Sequence, residues 1–544
     1  MSITKVAFRY VHGYRVIKDP PPVQFLFGDM EYYSTNTPPN LAIYPLILAP
    51  RSISAFRISV AIVTMCDLGL RFRDLHAHYT NSGVLPVDLL TPVQRYISLF
   101  ALSDSIYWVY WIFILGFVSA MLLLYGRFPR LSSLLCLVVI ISLQRRNPVV
   151  TNAGDSLLRL LLMWLCFFPQ FYRWPFCQQS SHKDHETRRL NERLYSAASW
   201  GLTVQVCIVY IFSALAKGDP MWRIDSTAIE HALRLESFRT QFSSIMSPYL
   251  LEHHVFLKLA TKVVLWLEQL GPILLLLSTN RPCLRGLVII GFVFFHLICI
   301  APFLNIGMFP FVCASAWVAF VPDAFWQYLD KVRGVVPVLP AGSLKTLTYK
   351  IPSAHRSYNL FQTSICQIIT CFVVIYNVVS ILPVSFKAKY HLDLRPVATL
   401  IGVDQSWNLF APYVNTRDGW FVSKAKLTDG RMVDVIRSRP NVSWEKPCRI
   451  ASEFPTKRWR RFLLNLYHNR DPQLIQSYVS YLTRKWNSEN PAAKISTLSI
   501  FFMLQDSRYP EDGVTAVQVF PIHERDRMGL AIFLGDSRRN GRLR

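Results

Sequence analysis

Apolar and polar positions along this 544-residue chain fall into blocks, not into a regular helical or strand alternation. Long apolar runs lie near residues 54–70, 106–125, 131–143, 156–169, 199–216, 262–278, 286–302, 308–322 and 362–383. A helix needs about 17–25 apolar residues to cross a bilayer, and most of these runs reach that length. The third and fourth are short, so they must tilt, re-enter or extend through their polar flanks, and the pattern predicts eight or nine spans. Prolines in "GPILLLL" and "APFLNIGMFPF" are compatible with spans whose neighbours satisfy the freed backbone.

The two ends of the chain read differently. Residues 1–50, with "DPPPVQF" and "NTPPNLAIYP", form a proline-punctuated lead-in. Beyond residue 383 no run is long enough to span. "WFVSKAKLTDGRMVDVIR" is two alternating runs joined at Asp429-Gly430, a dipeptide that supplies the positive φ of a tight hairpin. "KRWRRFLLNLYH" and "PQLIQSYVSYLTRKW" have helical spacing, and "KISTLSIFFML" and "VTAVQVFPI" read as strands. The expected fold is an all-α polytopic membrane bundle over 51–383, followed by a soluble α+β domain over 384–544 that ends in the basic tail "SRRNGRLR".

Composition agrees, with 52% hydrophobic and 14% aromatic residues. The net charge of +24 points to the lipid bilayer as partner and not to nucleic acid. Lys and Arg flank the apolar blocks, where they anchor helix ends and meet anionic headgroups, and no nucleic-acid motif accompanies them. Of eleven cysteines only Cys448 lies in the polar C-terminal part, which leaves no disulfide framework and no CxxC pair. His182, His185 and Glu186 in "SHKDHE" lack HExxH spacing and sit in a highly charged loop, so no metal is expected. No cleavable leader is evident, and the first span is expected to direct insertion.

Ionisable groups inside apolar blocks are costly and mark candidate chemistry. Asp67 and Arg71 are four residues apart, on one helix face, where they can neutralise each other. In "RNPVVTNAGDSLLRLLLMW", Asn152 or Asp155 can cap the helix that follows, and Asp155 and Arg159 are again one turn apart. That spacing fits a charge-paired helix start, or a site that binds a polar headgroup or orients a base. Lys217 follows a mostly apolar stretch in "YIFSALAKGDPMW". Its stem can snorkel to the interface. Alternatively the amine is enclosed among helices, where burial penalises charge and frees a base or nucleophile. His296 sits mid-run, as a helix–helix hydrogen bond or as a site group, and Glu268 adds a carboxylate on a nearby span.

"DLGLRFRDLHAHYTNSGVLP", "RNPVVTNAGDSLLRLLLMW", "YIFSALAKGDPMW", "FFHLICIAPFLNIGMFPFVCASAWVAFVPDAFW" and "QSWNLFAPYVNTRDGW" resemble successive blocks of the HTTM (horizontally transferred transmembrane) family, which includes vitamin K-dependent gamma-carboxylase. The resemblance covers roughly residues 50–330. It implies that Lys217 is the amine base acting on a reduced, vitamin K-like quinone, with O2 and CO2 as co-substrates and a glutamate-containing protein or peptide as acceptor. It implies a catalytic role for His296, with Asp155, Arg159, Asp67 and Glu268 lining or orienting the pocket. Where the eukaryotic carboxylase has a histidine-rich stretch this chain has "RNPVVTNAGD", similar to bacterial HTTM proteins, which implies a multi-pass protein of the cell membrane. Two other outcomes are compatible with the same fold: different lipid- or quinone-linked chemistry, and a non-catalytic scaffold.

Overall fold

A computed structural model describes residues 48–168, 197–335, 360–507, 518–526 and 529–531. Residues 1–47 of the expected lead-in, the 182–186 loop and the basic tail lie outside the described residues. The long helices are α1 (Pro50–Phe72), α2 (Ile106–Tyr125), α3 (Pro129–Arg146), α4 (Ala153–Phe167), α5 (Ala197–Ala216), α6 (Gln241–Leu251), α7 (His254–Leu277), α8 (Pro282–Phe294), α9 (Phe309–Val318), α10 (Asp323–Val335) and α11 (Leu360–Ile381). A π-helical stretch, Phe295–Ile300, continues α8. Proline in the first turn starts α1, α3, α8 and α9, where its missing N–H costs nothing. Gly126, in the left-handed region at φ 72°, ends α2 at the predicted residue.

Among the described residues six helices are long and apolar enough to cross a membrane: α1, α2, α5, α7, α8 with its π-helical extension, and α11. The count reaches seven if α9 and α10, bent by 85°, form one broken span. The eight or nine expected from the sequence included α3 and α4, and each falls short for its own reason. α3 carries Arg130, Arg145 and Arg146. α4 has 15 residues, about 22 Å at 1.5 Å per residue and short of the roughly 30 Å hydrocarbon core. Leu157, Leu158, Leu160, Leu161, Leu162 and Trp164 are all buried, so α4 is the central helix of the bundle. A helix apolar on every side belongs in an interior as readily as in lipid.

After α11 the chain builds a five-stranded antiparallel sheet from β1 (Arg417–Leu427), β2 (Met432–Val433), β3 (Ile495–Asp506), β4 (Gln518–Asp526) and β5 (Gly529–Ala531) in the order β2-β1-β3-β4-β5. Gly430, at φ +87°, makes the β1–β2 turn as predicted. Helices α12 (Lys457–Asn469) and α13 (Pro472–Glu489) pack on this sheet through Phe462, Leu466, Tyr478 and Leu482. The same apolar cluster takes in Val84, Leu85, Leu90 and Val150 from the polar end of the helical bundle. The sheet unit is therefore seated on the bundle through a shared core.

Candidate functional site

α5 ends at Ala216, and the chain turns sharply at once. Asp219 accepts from the Met221 N–H at 2.9 Å, which starts the next turn. Arg223 folds back, donating from Nε to the Lys217 carbonyl at 2.9 Å and from a terminal nitrogen to the Ala214 carbonyl at 3.1 Å. These bonds satisfy carbonyls that a helix C-terminus leaves open. The turn directs Lys217 inward instead of along the span to the interface. Its side chain is 4% exposed and ion-paired with Glu268 of α7, itself 7% exposed. Lys217 Nζ also donates to Ser213 Oγ at 3.0 Å and lies 4.9 Å from the Trp222 ring centroid. Of the two readings of Lys217, the geometry supports the enclosed amine.

One layer deeper, Tyr210 lies on the face of α5 that carries Ser213 and Lys217, at three- and seven-residue spacing. Its hydroxyl meets His296 Nε2 at 2.8 Å and accepts from Trp317 Nε1 at 2.8 Å. His296 belongs to the π-helical stretch, and such local widening re-aims side chains and recurs at functional sites. His296 Nδ1 is buried with no hydrogen-bond partner among the described residues. Phe292 stacks on Trp317 with centroids 4.1 Å apart, and Tyr210 packs against Phe292 at 4.4 Å. Gly271 makes this possible, since a Cβ there would stand 2.3 Å from the Phe292 ring.

Asp67, Asp155 and Arg159 lie in other networks. Asp67 and Arg71 form the predicted pair at 2.6 Å. Arg71 also reaches Asp155 at 2.6 Å and the Tyr79 hydroxyl at 2.8 Å. Arg458 of α12 closes the set, donating to Asp67 at 2.6 Å and to Asp155 at 3.2 Å. Asp155 completes a capping box with Asn152, accepting from the Asn152 N–H at 2.8 Å. Arg159, expected to pair with Asp155, instead donates to Gln144 Oε1 at 2.6 Å and reaches Asp404 Oδ1 at 3.1 Å. No hydrogen bond or ion pair among the described residues joins these groups to the Lys217 cluster.

Sequence reasoning named Lys217, Glu268 and His296, and the structure gathers them. It missed Tyr210, Ser213 and Trp317. The first two carry a signal, since they share the helical face of Lys217. Trp317 carries none, being 107 residues from the hydroxyl it donates to.

No curated protein and no solved structure matches this chain. The HTTM domain, as a sequence family, matches residues 48–326, which cover five of the six long apolar helices and the whole Lys217 cluster. The chain is a multi-pass integral membrane protein that belongs to the HTTM domain family.

Proposed function

We propose that this protein is a membrane enzyme in which Lys217 takes a proton from the ring hydroxyl of a reduced quinone, in a gamma-carboxylase-like reaction. One observation carries the reading: a buried lysine amine shares its contact with a single buried carboxylate, Glu268. Moving one proton from Lys217 Nζ to Glu268 leaves a neutral amine and a neutral acid without changing the net charge of the site. That exchange is the step the proposal requires. The neutral amine is the form a general base requires.

The residues present fit such a substrate. Trp222, Tyr210, Phe292 and Trp317 wall the site with aromatic rings, and His296 Nδ1 is a buried polar atom with no hydrogen-bond partner among the described residues. When bound, a reduced quinone with O2 supplies the strong base that takes a γ-proton from a peptide glutamate, to which CO2 adds. Lys217 accepts the hydroxyl proton at Nζ, Glu268 holds the proton the amine gave up, and Tyr210 orients His296. The aromatic residues exclude water from the exchange. The reading also assigns the cell membrane as location, a glutamate-containing peptide as acceptor, and residues 384–544 as a water-facing part seated on the bundle at 51–383.

Quinone-dependent incorporation of CO2 into a glutamate peptide, measured in nanodiscs, tests the proposal. Activity should vanish in Lys217→Ala and stay absent in Lys217→Arg, whose guanidinium remains charged. Full activity in Lys217→Ala would leave the Lys217–Glu268 pair as a structural tie between α5 and α7.

A further inference from the structure

A cavity of about 450 Å³ lies apart from the Lys217 cluster, lined by Arg239, Thr240, Gln241, Ala301, Asn305 and Arg449 among others. That volume falls within the range of ordinary small-molecule pockets, about 300–1,000 Å³. No carboxylate among the described residues lines it. Arg239 spends only its Nε, on the Leu233 carbonyl at 2.8 Å, so its two terminal nitrogens have no partner among the described residues. The Arg449 guanidinium makes no hydrogen bond among the described residues, and its Nε is shielded from solvent. The acids in electrostatic reach of Arg239 are Glu236 and Asp418. Glu236 is paired with Lys446 at 2.7 Å, and Asp418 accepts from the Ser237 and Gly419 N–H groups at 2.9 Å each. Two guanidinium groups therefore face an acid-free cavity with donors to spare.

The position of the cavity says what anion it meets. Ala301 and Pro302 directly follow the spanning segment Pro282–Ile300, which puts the cavity at the depth where an apolar segment ends. α6 begins at the cavity and is amphipathic in the reverse of the usual sense. Ser243 and Ser247 are buried and bonded to each other at 2.8 Å, while Phe242, Ile245 and Tyr249 stand exposed at three- and seven-residue spacing. α7, a spanning helix, starts three residues after α6 and continues this exposed apolar surface with Val255, Phe256 and Leu259. A helix with an outward apolar face and cations at its end matches the pattern of interfacial helices on anionic bilayers.

We propose that α6 lies in the membrane interface and that the cavity holds the phosphate of an anionic phospholipid between Arg239 and Arg449. Because Arg449 belongs to the C-terminal unit and Arg239 to the bundle, the bound lipid would bridge the two. The proposal is independent of the chemistry assigned to Lys217.

Native mass spectrometry of the full chain, released from nanodiscs containing phosphatidylcholine with or without phosphatidylglycerol, tests it. The wild type should retain phosphatidylglycerol in preference to phosphatidylcholine. R449Q should weaken that retention about fivefold and R239Q/R449Q about 25-fold, the effect of removing one and two basic groups near an anionic surface. Arg449 makes no side-chain hydrogen bond among the described residues, so R449Q keeps the test open even if the double variant unfolds. Equal retention of the two lipids, or wild-type retention by R449Q, would overturn the proposal. So would inorganic phosphate displacing the lipid at millimolar concentration, which would mark a free-anion site.

Discussion

Two of the buried charge clusters among the described residues differ in the kind of cation they hold, and under the proposed function that difference separates a fastener from a reagent. In the first, Arg71 and Arg458 hold Asp67 and Asp155 in a closed set of charge-assisted bonds. Arginine is always protonated in proteins, so every proton in that set is fixed. The set joins α1, α4 and α12, and what it supplies is position. In the second, one lysine meets one carboxylate, with a serine hydroxyl and an aromatic ring as the remaining neighbours. Lysine, unlike arginine, is a cation that can serve as a base, and the proposed function rests on that difference. Burial alone therefore does not mark chemistry; the kind of cation decides.

The largest effect that would break this contrast is on activity. Lys217→Ala should lower quinone-dependent turnover about 10²–10⁴-fold, the usual contribution of a positioned acid–base group, read in a single-turnover carboxylation assay. Stability should follow the other cluster. Arg458→Met leaves Asp67 and Asp155 sharing Arg71 alone, and should destabilise the protein by about 3–5 kcal/mol, the cost of stranding buried charge. Thermal unfolding in nanodiscs measures this, and an unchanged midpoint would mean the fastener holds nothing.

A pH effect sharpens the picture at the edge of the first cluster. His78 packs against Trp459 of α12, the rings tilted by 49° with centroids 4.7 Å apart. Burial first, then the charges of Arg458 and Arg71, push its pKa down to about 3 from 6.5. Below pH 6.5 the unfolded chain binds a proton that the folded chain refuses, so stability is complete above 6.5 and lost as pH falls toward 3. At pH 5 the loss amounts to about 2 kcal/mol. His78→Phe should flatten the dependence of the unfolding midpoint between pH 7 and 5; an equally steep profile in the variant would show that other groups cause it. Smallest of all, the double variant K217M/E268L should change stability by no more than about 1 kcal/mol, since removing a buried pair together is close to neutral. It should nonetheless be inactive.

The sequence carried some of this clearly. α2 was legible to the residue, because an unbroken apolar run ends at Gly126, which adopts the left-handed conformation. The hairpin at Asp429-Gly430 was legible because positive φ is a local demand. α4 was counted among the spans because its apolar content does not tell lipid from protein, and its 15-residue length is what keeps it out of the six helices long enough to cross. The Asp155–Arg159 pairing failed for a related reason. Four-residue spacing says which groups can meet, but Gln144 and Asp404 offer Arg159 better partners. Arg458 had no local signal at all: its closest carboxylate, on Asp67, lies 391 residues away. Lys217 was flagged by its place in an apolar block, yet its inward direction depends on Arg223 folding back over the end of α5.

The proton at Glu268 gives the most direct test. Isotope-edited infrared difference spectroscopy, with the protein in nanodiscs and reduced quinone added without O2 or CO2, reads whether that carboxyl is charged or neutral. The account requires a neutral-carboxyl band that is absent in Glu268→Gln and in Lys217→Ala. A carboxylate signal from Glu268 that persists unchanged with reduced quinone bound would contradict it.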